Sequence, residues 1–142
     1  MTVAALSREQ ALDAVAALDL DAPKARICAS GWPRYLANEI ELEYRRFLVL
    51  VALNPAADIR PPPLVDTFRR QQAADEPAFR RDLDGISAGL AQRILEQSVA
   101  TVAHGETLVL YGTTFPDWDP TYWRARSVEE IHQALAKRHA QR

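Results

Sequence analysis

Leu36, Ile40, Tyr44, Phe47 and Val51 recur at intervals of three and four residues, which places all five on one side of a helix and predicts a long amphipathic helix over 33–53. Pro33 suits its start, where a backbone N–H would go unpaired in any case. Glu39, Glu41, Glu43, Arg45 and Arg46 are assigned to the other faces, and Glu41 precedes Arg45 by four positions, the favourable order for a helical ion pair. A second stripe, Phe79, Leu83, Ile86, Leu90 and Ile94, predicts another long helix, capped by Asp75 and continuing over 75–100. Gly85 and Gly89, four apart on that helix, read as packing relief where another backbone comes close.

Shorter elements fill the rest. Ser7 and Gln10 have the spacing of a capping box, ahead of Leu12, Val15, Ala16 and Leu18. A short helix over 24–29 is closed by Gly31, whose freedom at positive φ suits a helix end. Asn54 and Pro55 stop the first long helix, and Pro61, Pro62 and Pro63 force extended backbone before a helix over 64–72 that turns Val65 and Phe68 inward. His104 and Gly105 close the second long helix, and 108–111 suits either a short strand or a further helical turn. Ser127 and Glu130 repeat the capping-box spacing before Val128, Ile131 and Leu135. The sum is a mainly α chain: one domain over 1–142, a compact bundle of about five to six helices with a long proline-containing connection, an aromatic C-terminal segment and room for one short strand pair.

Composition narrows what such a bundle does. With 142 residues, 48% hydrophobic and 25% charged, the chain suits a single core. Seventeen basic and nineteen acidic residues are interspersed, so no broad cationic face for nucleic acid is expected. No apolar run approaches the roughly 20 residues of a membrane span. Residues 1–6 lack the basic start of a signal peptide, and the single Cys28 cannot close an intramolecular disulfide, so a cytoplasmic location is the simplest expectation.

Catalytic and metal signatures are weak. Cys28 has no accompanying signature of a Cys–His enzyme, and 85–89 falls within a helical stripe rather than forming a phosphate loop after a strand. Glu129 and His132 supply half of a carboxylate-bridged di-metal motif with no second copy, so a solvated helix face accounts for them. No catalytic residue, metal ligand or cofactor is assigned. Trp118, Tyr122 and Trp123 combine large apolar area with a polar hydrogen, the chemistry of binding hot spots, although the same rings can instead close the core. Asp117 and Asp119 offer either paired carboxylates or turn-forming residues beside Pro116 and Pro120. Arg69 and Arg70, with Arg80 and Arg81, can grip a carboxylate or phosphate, or simply end a helix in solvent.

Ala17-Leu18-Asp19-Leu20-Asp21, Gly31-Trp32, Glu43-Tyr44-Arg45-Arg46-Phe47-Leu48 and Pro63-Leu64-Val65-Asp66 follow one another in an order that resembles a family of small bacterial proteins related to the glycine-rich domain-containing proteins. Tyr111-Gly112, Phe115-Pro116 and Trp118 extend the likeness more loosely. The resemblance implies a helical fold and an acidic residue, here Asp66, ahead of a Trp-His-x-His element. This chain reads Thr67-Phe68-Arg69-Arg70-Gln71-Gln72 instead, with Arg70 and Gln72 where the histidines would fall. Arginine stays cationic and glutamine is a poor transition-metal ligand, so a metal site implied by the family motif would be lost here.

The expectation is therefore a non-catalytic helical binding or accessory protein, such as the partner subunit of an enzyme or a peptide-binding module. Its candidate contact residues are Trp118, Tyr122, Trp123, Arg69, Arg70, Asp66 and Tyr44. The alternative is a small enzyme acting on a small molecule, with Asp117, Asp119, Arg70 or Tyr44 in an inter-helix pocket. Binding predicts exposed aromatics or a convex patch; catalysis predicts an enclosed polar cavity.

Overall fold

The computed structural model describes residues 6–100, 104–117, 121–124 and 127–140, and they are organised around one central helix. That helix, α3 (Arg34–Leu53), carries the first apolar stripe: Leu36, Ile40, Tyr44 and Phe47 are each fully buried and Val51 is almost so. Burying one such side chain stabilises the fold by about 1.5–3 kcal/mol before entropy is charged against it. Two helices precede α3 and lie against it. In α1 (Arg8–Ala16) the capping box is complete, with Gln10 N–H donating to Ser7 Oγ at 3.1 Å and Ser7 N–H donating to Gln10 Oε1 at 2.9 Å. In α2 (Asp21–Ala29), longer at its start than 24–29, Asp19 accepts from Asp21 N–H at 3.0 Å. Gly31 follows with φ of 117°, the left-handed geometry expected of it.

Asn54 ends α3, its side chain donating to the Leu50 carbonyl at 2.8 Å. The proline-containing connection is pinned rather than loose. Ile59 is fully buried and donates its N–H to Gln97 at 2.9 Å, Arg60 N–H reaches Thr107 Oγ1 at 2.9 Å, and the Pro61 carbonyl accepts from Ala100 at 2.9 Å. Pro62 then leads into α4 (Pro63–Ala73), which buries Val65 and Phe68 against α3.

The second long helix is a correction: 75–100 is two helices, α5 (Glu76–Asp84) and α6 (Leu90–Glu96). Asp75 caps α5 as expected, accepting from Ala78 N–H at 3.3 Å. Gly85 ends α5 and Gly89, at φ of 80°, opens α6, so these glycines make a turn and do not relieve helix packing. Asp84 reaches across the turn to accept from Ala91 N–H at 3.1 Å. Phe79, Leu83, Leu90 and Ile94 are nevertheless all buried, with Ile86 partly so, because the turn returns the chain with the same side facing inward.

Residues 108–111 lie within a helix, α7 (Gly105–Thr114), and no strand occurs among the described residues. His104 begins that helix rather than closing the one before, its ring accepting from Thr107 N–H at 3.4 Å. A single turn, α8 (Thr121–Arg124), and the final α9 (Val128–Ala140) complete the order. Ser127 caps α9, accepting from Glu130 N–H at 3.1 Å. The described residues thus form nine helices, several of them short, where five to six were expected. No helix among them is long and apolar enough to cross a membrane.

Candidate functional site

The expected contact residues fall into separate places. Tyr44 is fully buried on α3, its ring centroid 5.1 Å from that of Phe68, and its hydroxyl donates to Gln72. Burial pushes its pKa up, with the Arg69 charge opposing, so the phenol stays protonated at any ordinary pH. Gln72 is buried and is consumed by this internal bond. Asp66, earlier on α4, is buried and is gripped from two sides, by Arg69 and by Arg70 Nη2 at 2.9 Å. Arg69 points inward, as its remaining donors cap the carbonyls of Ile94 at 2.9 Å and Gln97 at 2.6 Å. Arg70, although paired with Asp66, reaches solvent, with 75% of its side chain exposed. A shallow depression beside it is lined by Pro63, Thr67, Val99 and Ala100.

Tyr122 and Trp123 correct the expectation of a sticky surface: both are buried, at 8% and 3% exposure. Trp118, together with Asp119, lies outside the described residues. Trp123 packs tilted against Tyr111, with ring centroids 4.6 Å apart and planes inclined by 52°, and donates its indole N–H to Glu43 Oε2 at 2.6 Å. Tyr111 donates its hydroxyl to the same oxygen and accepts from Arg46 Nη1 at 2.6 Å, while Arg46 approaches Glu43 Oε1 at 3.6 Å. A buried acid therefore holds together α3, α7 and α8, with three donors converging on a group that only accepts when ionised. Glu43 was expected on one of the faces away from the apolar stripe, and the structure puts it inside at 3% exposure. The signal was present: 36, 40, 43, 47 and 50 also follow the three-and-four rhythm, so the acid sits within the buried arc of α3.

Desolvation raises the pKa of Glu43 despite the opposing bonds from Tyr111 and Trp123 and the Arg46 charge. The folded chain thus holds this proton more tightly than the unfolded chain. Its contribution to stability is fully present below the ordinary value of 4.5 and is lost as pH rises through the raised folded value. Glu43→Gln takes this titration away, so the stability difference between variant and wild type should move in the variant's favour as pH is raised above the ordinary value of 4.5. Urea unfolding across that range reads it; a flat difference, or one moving the other way, would refute the raised value.

Arg46 leads from this cluster to a cleft of about 320 Å³ between α1, α3 and the end of α7. Its floor is Leu12, Val15, Val49 and Phe115, and its edge is Leu42, 45% exposed. Arg8, Arg45 and Arg46 line it together with Asp117. The Arg46 guanidinium lies 5.0 Å from the centre of the Phe115 ring, a cation–π contact that fixes it at the cleft wall. Although burial works against its charge, Tyr111, Glu43 and Asp117 outweigh that and raise its pKa. No sequence reading singled out this cleft, because its walls come from three segments far apart in the chain, around Leu12, Arg46 and Phe115.

Glu129 and His132 are exposed on α9, as expected, with the His132 ring centroid 6.1 Å from that of Tyr35. Among the described residues no three His, Cys, Asp or Glu side chains gather as a metal site. No family model, curated protein or solved structure matches the chain.

Proposed function

We propose that this chain is a non-catalytic helical binding protein, an accessory or peptide-binding subunit working in the cytoplasm, and that it meets its partner at the α1–α3 cleft. The observation that carries the reading is an apolar floor with a half-exposed leucine at its edge and arginines along its wall. The residues offered for catalysis are dispersed, which favours binding over the enzyme alternative. Tyr44 is sealed on Gln72, Arg70 lies beside a different depression, and Asp117 lines the cleft. Every buried side-chain nitrogen or oxygen among the described residues has a hydrogen-bond partner, so structural pairing accounts for these polar groups. Kinship to the glycine-rich domain-containing proteins is part of the same proposal and rests on the Glu43–Leu48 and Pro63–Asp66 segments.

Leu42→Glu tests the surface with little risk to the fold, since an exposed substitution of this kind costs about 0.5 kcal/mol or less. Partners cross-linked in the native host by wild type should be lost with Leu42→Glu and kept with Arg70→Ala. The opposite pattern would move the contact to the α4 face, and identical recovery by all three would remove the cleft from consideration.

A further inference from the structure

We propose that the α1–α3 cleft captures the C-terminal residue of a partner chain, its apolar side chain on the floor and its α-carboxylate between Arg8 and Arg46. This rests on the reading of the cleft as the contact surface and adds the chemistry of what enters it.

The three arginines are not equivalent. Arg45 is spent: Nη1 donates to the Val15 carbonyl at 2.6 Å, Nη2 to the Leu18 carbonyl at 3.0 Å, and Nε faces Glu41 at 3.5 Å. Arg46 commits Nη1 to Tyr111 and Glu43, whereas its Nη2 meets only Asp117 among the described residues, at 3.4–3.5 Å. Those contacts are long for a charged pair, and the Asp117 side chain is 80% exposed, so the pairing contributes little. Arg8 donates Nε to the Thr114 carbonyl at 3.1 Å and has no carboxylate partner among the described residues. The cleft therefore offers one unneutralised guanidinium and one loosely occupied guanidinium over an apolar floor.

Size and geometry select the occupant. A cleft of about 320 Å³ is at the small end of ligand sites and suits one apolar side chain with a carboxylate beside it. In a C-terminal residue the side chain and the carboxylate leave the same carbon, so both reach floor and arginines within that small space. An internal acidic residue carries its charge at the tip of the side chain that would have to fill the floor. The incoming carboxylate takes the Nη2 donor of Arg46 and displaces Asp117 into solvent, replacing a long exposed contact with a charge-assisted bond.

Titration of the full chain with an acetylated tetrapeptide ending in leucine tests this, followed by backbone NMR shifts and calorimetry. The free acid should saturate with shifts at Leu12, Leu42 and Phe115, and the C-terminal amide should bind about tenfold more weakly, the usual effect of losing one charged hydrogen bond. Asp117→Asn should tighten the acid by about threefold and Arg8→Gln should weaken it by about tenfold, and neither substitution removes a direct contact to Glu43. Equal binding of acid and amide overturns the proposal, as does an unchanged affinity in Asp117→Asn. If 4-methylpentanoate binds as tightly as the peptide, the occupant is a small carboxylate and the proposal also fails. Loss of the native partner in Leu42→Glu alongside no binding of the peptide would leave the cleft as the contact surface and sink only this assignment of its ligand.

Discussion

Truncating Trp123 to alanine is expected to cost the fold about 3–5 kcal/mol, the range for emptying a buried aromatic site. Two losses combine. The ring is 3% exposed and packs on Tyr111, and its N–H is one of three donors to the buried Glu43. Trp123→Phe separates them, keeping much of the apolar area while withdrawing the donor, and should cost about 1–3 kcal/mol. Urea midpoints at a constant slope measure both. A Trp123→Ala cost below about 1 kcal/mol would mean that the ring does not close the core, since surface substitutions fall in that range.

Arg69→Ala should be comparably damaging, at about 3–5 kcal/mol, because it strands the buried carboxylate of Asp66 with a single, largely exposed partner. It also uncaps the Ile94 and Gln97 carbonyls at the end of α6, so α4 and α6 lose their polar clasp together. Arg69→Lys should restore only part of the stability, since one ammonium cannot reproduce the planar fork that serves three acceptors. Arg70→Ala, at a side chain 75% exposed, should cost less than about 1 kcal/mol. Equal costs for the alanine variants at 69 and 70 would contradict the inward orientation of Arg69.

Local chemistry was legible where the backbone itself consumed it. Ser7 with Gln10, Asp75 and Ser127 all cap helices where their spacing placed them, since a cap depends on three or four neighbouring residues. The α3 stripe was legible for the same reason. The 75–100 stripe misled because apolar periodicity reports which side faces inward, and the Gly85–Gly89 turn preserves that side while breaking the helix. Position alone put Glu43 on the wrong side of α3 and left Tyr122 and Trp123 ambiguous. An acid on a buried arc and an aromatic near the end of a chain acquire meaning only when a distant segment supplies the partner. The cleft was illegible because its floor joins Leu12, Val49 and Phe115, whose neighbours in sequence give no hint of the encounter.

The clasp on Glu43 also has a consequence for the order of assembly at the ribosome. Its anchoring carboxylate leaves the exit tunnel long before the phenol and the indole that neutralise its isolation, which lie 68 and 80 positions further along the chain. While the nascent chain lacks them, α3 presents an acid in the middle of its oily side with only Arg46 close by in sequence, so burial of that side is penalised. Completion of the core is therefore expected to wait for residue 123, and a chain ending before it should bury the Glu43 side of α3 less fully.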